Sequence, residues 1–163
     1  MTCDRDRLMR LITLVEREDA HLLAVRWRLL NDDCHVSEER IADLLSSDVG
    51  IDRLESFGAK FSRMQDTVID KLVPTLLRAA GESTGTAIDN LARLERLQLI
   101  GSSDAWLEMR GLRNRLVHEY IDQPDILAAS LHQACRFIDI MHGDFEAIRD
   151  YAHLRLIDDP SGT

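Results

Sequence analysis

The sequence predicts an all-helical fold, and three features of it support that class. Apolar residues recur at spacings of three, four and seven along several long segments, which is the periodicity of amphipathic helices. Leucine, arginine, alanine and glutamate are abundant, which is typical of helices. Valine and isoleucine form no alternating runs, and no Asn-Gly hairpin signal occurs. We therefore expect an antiparallel helical bundle with a four-helix-type core and short extra helices.

Two long segments dominate the predicted N-terminal half. The first helix should run over about 4–30, and Ser37 is a fitting N-cap for a short helix that follows. A second break is expected over 46–50, and then a long helix over about 51–80. Pro74 lies inside that long helix, so we expect a kink or bend one turn before it. Gly81 suits the position just after its end.

The C-terminal half should contain three more helices. Ser83 or Thr86 can cap a short helix that ends at Ile100, and a further helix is predicted over about 105–120. The last helix should run over about 126–154, with inward apolar residues that include Leu154.

The size of the chain suits one domain. With 163 residues, of which 45% are hydrophobic, it holds enough apolar material for one core. We expect a helical domain over 1–157 and a mobile tail over 158–163. No apolar run approaches the roughly 18 residues of a membrane span, and the N-terminus lacks the apolar stretch of a signal peptide. These features favour a cytoplasmic protein without a membrane partner.

Cysteine usage and net charge narrow the function classes. The three cysteines, Cys3, Cys34 and Cys135, are odd in number and far apart, so we expect neither a disulfide framework nor a metal site. Cys135 should be a small core residue or a half-buried one, and the Cys34-His35 pair is weak support for a metal ligand. The formal net charge of −9 argues against a general nucleic-acid coat protein, although a local basic cleft or a basic protein partner fits it.

The segment from Trp106 to Tyr120 breaks its own apolar pattern. Arg113 falls on the stripe that Trp106, Met109, Leu116 and Tyr120 form, where an arginine is costly unless it is paired or faces a cleft. The simplest interpretation is that Arg113 bridges an acid and that His118 is a helix-end histidine favoured by the macrodipole.

Further polar residues surround this stripe. Asn114 and His118 are four apart and share another helix face. The arginines Arg110, Arg113 and Arg115 crowd one and a half turns. Arg93 and Arg96 of the preceding predicted helix could extend the same surface.

The spacing Arg113-x4-His118-x-Tyr120 resembles the Arg-x4-His-x-Tyr motif of the HEPN family. The likeness extends upstream to the family branch that is paired with minimal nucleotidyltransferases. The segments that carry it are 61–66, Lys71, 81–82, 94–97 and 106–110. This covers residues 57–120 well and the flanking helices by pattern alone.

The resemblance implies a two-fold homodimer in which the motif of each protomer faces a shared cleft. In active members the arginine and histidine cleave RNA without a metal, so Arg113 and His118 become candidate catalytic residues, with no cofactor. A histidine can take a proton from a ribose 2′-OH, and an arginine can hold the scissile phosphate. Residues five apart on an ideal helix point about 140° apart. A dimer cleft, or fraying of the helix near His118, would let them cooperate.

Tyr120 has a separate role by resemblance. In some toxin–antitoxin pairs the partner nucleotidyltransferase transfers AMP to the motif tyrosine and silences the ribonuclease. A core aromatic residue is the alternative interpretation of Tyr120. Asp66 is a candidate partner for Arg113 or His118, with a solvated surface acid as its alternative. Asn114, Arg110 and Arg115 complete the supporting set.

Three functions compete at this point. The intact Arg113, His118 and Tyr120 favour a ribonuclease toxin controlled by a minimal nucleotidyltransferase antitoxin. The acidic balance favours a noncatalytic substrate-binding subunit for that enzyme. A dimeric scaffold that keeps the motif as a relic is the third. We favour the toxin.

Overall fold

All regular structure in the described part of the chain is helical. The computed structural model describes residues 2–30, 34–116 and 122–158, and no strand occurs within these ranges. The prediction of an all-helical fold is therefore confirmed. The α-helices are α1 (Thr2–Leu30), α2 (Glu38–Leu45), α3 (Asp48–Thr67), α4 (Val73–Ala79), α5 (Ala87–Arg96), α6 (Ser103–Leu116) and α7 (Pro124–Ala152). Val68–Leu72 and His153–Ile157 are π-helical.

The helices surround one hydrophobic core. Helix α1 packs against α3, α4 and α7, and α6 packs against α3, α5 and α7. The largest fully buried side chains are Trp106, Phe57, Phe61 and Phe145, so the centre of the core is aromatic. None of the helices described is long and apolar enough to cross a membrane.

A π-helical turn stands just before Pro74, where a kink or bend was predicted. Proline has no N–H to donate, and its ring collides with the carbonyl four residues earlier in an α-helix. The backbone widens over Val68–Leu72, where the N–H of Val73 donates to the carbonyl of Val68. Helices α3 and α4 are thus joined by a wider turn, and the predicted long helix continues through it.

Several helix ends agree with the sequence and others differ from it. The Ser37 side chain accepts from the Arg40 N–H at 3.1 Å, as predicted for an N-cap. The predicted break over 46–50 is shorter than expected, because Ser47 caps α3 through the N–H of Gly50 at 3.0 Å. A Cβ on Gly50 would overlap the Leu44 carbonyl, so glycine allows α2 and α3 to meet closely.

Two helices end in the same backbone motif. Gly81 has φ +75°, and the N–H of Glu82 donates to the Leu77 carbonyl at 2.8 Å, which is a Schellman arrangement. Gln98 has φ 61°, and the N–H of Leu99 donates to the Leu94 carbonyl at 2.9 Å. The predicted end of α5 at Ile100 was therefore wrong, because this left-handed residue stops the helix earlier.

The end of the last helix also departs from prediction. Leu154, predicted to face inward, is 70% exposed. The π-helical segment begins just before it, at His153, and the wider turn changes which side chains face the core. Asp158, which was assigned to the tail, closes this segment, because its N–H donates to the His153 carbonyl at 2.9 Å. The remaining predicted tail, 159–163, lies outside the described residues.

A disulfide corrects the expectation drawn from the cysteines. Cys34 and Cys135 are bonded, with their Cα atoms 5.9 Å apart, although 101 residues separate them. Packing of α2 against α7 brings the two together, and spacing in the sequence carries no sign of it. Cys135 is fully buried, as expected, and Cys3 is a free, exposed cysteine.

Candidate functional site

The apolar face of α6 fixes the position of the candidate site. Trp106, Met109 and Leu116 of the predicted stripe are buried, and so is Leu112, which the prediction did not include. The Trp106 Nε1–H donates to Asp144 Oδ2 on α7 at 2.8 Å, so the indole is buried with its polar atom satisfied. Helix α6 is thereby held against α7 on one side, and its arginines lie on the remaining faces.

Arg113 forms an ion pair with Asp66 of α3. The Arg113 Nη1 atom donates to the carboxylate, and the Arg113 side chain remains 22% exposed. The predicted contact between these two residues is thus present. It gives a physical reason for an arginine beside an apolar stripe, because the acid compensates the charge while part of the guanidinium reaches the surface.

A second ion pair joins the same two parts of the fold. Arg110 Nη2 lies 3.0 Å from Asp70 Oδ1 in the π-helical segment. Asp70 was missed by the sequence analysis. A signal for it existed, since Asp66 and Asp70 are four apart and Arg110 and Arg113 are three apart, which suits two neighbouring helices. The two arginines are therefore ordered by acids on one adjacent element.

Gln65, next to Asp66, is a second residue that the sequence did not single out. Its side chain is fully buried, and neither amide atom has a hydrogen-bond partner among the residues described. An unpaired buried amide is costly, and such groups are uncommon in folded proteins. The segment that carries Asp66 therefore holds a polar group that packing alone does not explain.

Arg115 faces a different direction from Arg113. It is exposed and lines a concavity of about 680 Å³ between α6 and α7, together with Gly111 and Gln133. Asp104 and Glu108 line the same concavity, so its charge is mixed. The structure thus places Arg110 and Arg113 together and Arg115 apart from them.

Arg93 and Arg96 belong to yet another surface. Both line a concavity of about 300 Å³ with the loop 83–85, and Arg93 Nη1 lies 2.6 Å from Glu82 Oε2. Contrary to the prediction, Arg93 and Arg96 do not extend the surface of α6 that carries Arg113 within the described residues.

The remaining motif residues fall outside what the structure describes. His118 and Tyr120 lie within 117–121, and the side chain of Asn114 is likewise outside it. The part of the site that is described therefore consists of Arg113 with Asp66, Arg110 with Asp70, and the separate Arg115. No group of three or more His, Cys, Asp or Glu residues suited to a metal ion occurs among the described residues.

Comparison with known proteins gives no relative. No protein-family model matches the chain, and no curated protein or solved structure matches it to a significant degree. The HEPN resemblance accordingly rests on the motif residues and on the upstream segments that accompany them.

Proposed function

We propose that the protein is a HEPN-type, metal-independent endoribonuclease toxin whose antitoxin is a minimal nucleotidyltransferase. The observation that carries the proposal is Arg113 itself: it is ion-paired, partly exposed, and placed five residues before His118 in an Arg-x4-His-x-Tyr motif. We further propose that the helices form an antiparallel bundle with a four-helix-type core, and that two copies pair as a two-fold dimer with the motifs at a shared cleft.

The proposed chemistry needs one proton-transfer group and one phosphate-binding group. His118 accepts the proton of a ribose 2′-OH, the 2′-oxygen bonds to the adjacent phosphorus, and the bond from phosphorus to the 5′-oxygen breaks. A protonated histidine returns a proton to the leaving 5′-oxygen. The products are a 2′,3′-cyclic phosphate and a free 5′-hydroxyl.

Arg113 supplies the electrostatic part of this reaction. Negative charge grows on the phosphate oxygens in the transition state, and a planar guanidinium binds two such oxygens at once. Asp66 is a positioning residue in this proposal, because its ion pair with Arg113 limits where the guanidinium lies. Arg110, Asn114 and Arg115 remain supporting residues in the proposal, although Arg115 lies on a separate face from Arg113.

Tyr120 is proposed as the point of control. Transfer of AMP from ATP to its hydroxyl forms a phosphodiester and releases pyrophosphate. The new phosphate carries negative charge close in sequence to Arg113 and His118, and it would occupy the site that an RNA phosphate needs. Tyr120→Phe should cleave RNA at nearly the wild-type rate and become insensitive to the partner enzyme.

Cleavage of unlabelled cellular RNA in the presence of EDTA tests the catalytic assignment. His118→Ala and Arg113→Gln should each reduce cleavage by at least about a hundredfold. The matched controls, His153→Ala and Arg96→Gln, should leave it unchanged, since neither residue belongs to the motif. Wild-type cleavage by His118→Ala would refute the proposal. AMP transfer to a wild-type protein that never cleaves RNA would instead identify the noncatalytic subunit.

Mixing two inactive variants tests the shared cleft. An Arg113→Gln protomer keeps His118, and a His118→Ala protomer keeps Arg113. If one active site draws these residues from two protomers, the mixed dimer regains activity that neither variant has alone. Absence of any recovery, with mixed dimers shown by mass spectrometry, would place both residues in one protomer.

A further inference from the structure

A row of cations follows the seam where α1 packs against α3. Arg28 of α1 and Arg53 of α3 line one concavity of about 90 Å³, together with Ser56. Lys60 Nζ donates to the Ser56 hydroxyl at 3.2 Å, so it lies beside that concavity. We call the set Arg28, Arg53, Lys60, Arg63 and Lys71 the cationic seam.

The other end of the seam is located by Glu18. The Thr67 hydroxyl donates to Glu18 Oε1 at 3.0 Å, which joins α3 to α1. Arg63 and Lys71 both act electrostatically on the Glu18 carboxylate, so they lie near it. On α3, positions 53, 56, 60, 63 and 67 recur at three and four and share one face. Arg53 and Lys71 are separated by about 27 Å along the axis at the rise of an ideal helix.

Two acids of α1 are directed toward α7 and away from the seam. Asp19 Oδ2 lies 2.8 Å from His142 of α7, and Glu16 lies 4.0 Å from Arg149 of the same helix. Glu18 contacts α3 instead, and burial raises the pKa of its carboxyl. Its Oε2 atom has no hydrogen-bond partner in the described part of the chain. Glu18 is therefore the acid that lies against the Arg63 and Lys71 end of the seam.

The cations of the seam are also not neutralised by pairing. Arg28, Arg53, Arg63 and Lys71 are exposed and Lys60 is half-buried. Within residues 2–30, 34–116 and 122–158, none of the five forms an ion pair. The whole chain carries a net charge of −9, so the positive charge of the seam is concentrated on one surface of an otherwise acidic protein.

We propose that the cationic seam binds the sugar–phosphate backbone of single-stranded RNA. A single file of cations fits one strand, and a backbone contact of this kind supplies affinity without reading sequence. The proposal rests on the proposed ribonuclease function and deepens it. The seam would hold an RNA segment outside the Arg113 site, so the substrate is a strand long enough to occupy both places.

The salt dependence of RNA binding tests the seam directly. The probe is a fluorescent 2′-O-methyl RNA of about 20 nucleotides, which cannot be cleaved because its 2′-oxygens are blocked. Each phosphate contact on a single strand contributes about −0.7 to the slope of log affinity against log salt. The triple variant Arg53→Gln, Lys60→Gln and Arg63→Gln should therefore make this negative slope less steep by about 2. Arg28→Gln, on the opposite wall, should make it less steep by about 0.7.

A matched control separates a specific surface from total charge. Arg96→Gln, Arg136→Gln and Arg155→Gln remove the same charge from exposed positions on other helices. This control triple should keep the wild-type slope. Equal losses in the two triples, or no binding by the wild-type protein, would overturn the proposal. Each triple must show wild-type thermal unfolding by circular dichroism, and Arg28→Gln provides an independent test if the seam triple does not.

Cleavage is scored separately, so that the two proposals can fail separately. If the seam triple shows a weaker salt dependence of RNA binding and no sample cleaves RNA, the seam proposal stands and the ribonuclease proposal is refuted. Cleavage lost in His118→Ala, with an unchanged slope in the seam triple, would keep the ribonuclease and refute the seam.

Discussion

Arg113 and Asp66 are joined by an ion pair between α6 and α3, although 47 residues separate them in the sequence. The neighbouring pair, Arg110 with Asp70, has similar exposure and joins α6 to the turn that follows α3. The two pairs differ in one respect that matters for function: only Arg113 belongs to the motif with His118. They therefore serve as test and control for each other.

Asp66→Asn should impair cleavage with little effect on stability. The pair is partly exposed, so the free energy of unfolding should fall by less than about 1 kcal/mol. The rate constant kcat should fall by about tenfold to a hundredfold, because Arg113 loses the acid that orients it. Asp70→Asn should cause a similar loss of stability and leave kcat within about twofold. Urea unfolding and RNA cleavage measure the two effects, and equal kcat values in the two variants would contradict a positioning role for Asp66.

Asp144 should make stability depend on pH. Burial raises the pKa of its carboxyl, although hydrogen bonds from Trp106 and the Gly101 N–H act in the opposite direction. The pKa is therefore higher in the folded protein than in the unfolded chain. The stabilising contribution of protonated Asp144 is present below about pH 4 and is lost as the pH rises through the folded pKa.

Two variants examine this pH dependence by urea unfolding from pH 4 to pH 7. Asp144→Asn cannot ionise, so the wild-type stability should fall relative to the variant as the pH rises. Trp106→Phe removes the donor that lowers the pKa, so it should move the same loss to higher pH. Parallel stability curves for wild type and Asp144→Asn would exclude a role for this carboxyl.

The two Schellman ends should respond oppositely to substitution. Gly81→Ala places a Cβ at φ +75° and should lower the free energy of unfolding by about 1 kcal/mol. Gln98→Gly relieves the same strain at φ 61° and should raise it by up to about 1 kcal/mol. Both residues are exposed, so packing should contribute little. A loss of stability in Gln98→Gly would show that its side chain contributes more than the backbone strain costs.

The Cys34–Cys135 disulfide should be a major source of stability. Replacing both cysteines by alanine should lower the free energy of unfolding by about 2–4 kcal/mol, because the unfolded chain loses a long closed loop. A reducing agent should have the same effect on the wild-type protein. Cys3→Ala is the control and should keep the wild-type response to reductant. An intact mass that shows three free thiols without reductant would contradict the disulfide.

Features that depend on neighbouring residues in the sequence were predicted well. The spacing of apolar residues predicted where the helices lie. Local capping chemistry predicted Ser37 as an N-cap and Gly81 as the residue that follows a helix end. The contact between Arg113 and Asp66 is tertiary, and the sequence offered it as one candidate, because Asp66 could equally have paired with His118 or been a solvated acid.

Features that depend on tertiary packing were missed. Cys34, just before α2, meets Cys135 of α7, and Asp70 of the π-helical turn meets Arg110 of α6, and both contacts join residues far apart in the sequence. The stop at Gln98 was missed for a different reason, since glycine or asparagine usually occupies a left-handed position. His118 and Tyr120, which lie outside the described residues, stay predictions.

The π-helical turn before Pro74 also explains why buried apolar residues recur at every fourth position through this part of the chain. Met64, Val68, Leu72 and Leu76 follow one another at intervals of four, and all are buried. On an ideal α-helix each step of four overshoots a full turn by about 40°, so three steps would carry the last side chain about 120° around the axis. The wide turn absorbs one residue, so Leu76 faces the core on nearly the same side of the helix as Met64. Deleting one residue from Val68–Leu72 should therefore convert the wide turn to a regular α-helical turn and leave both Asp66 and Leu76 in their present orientations, because eleven residues at about 100° each complete three turns plus about 20°.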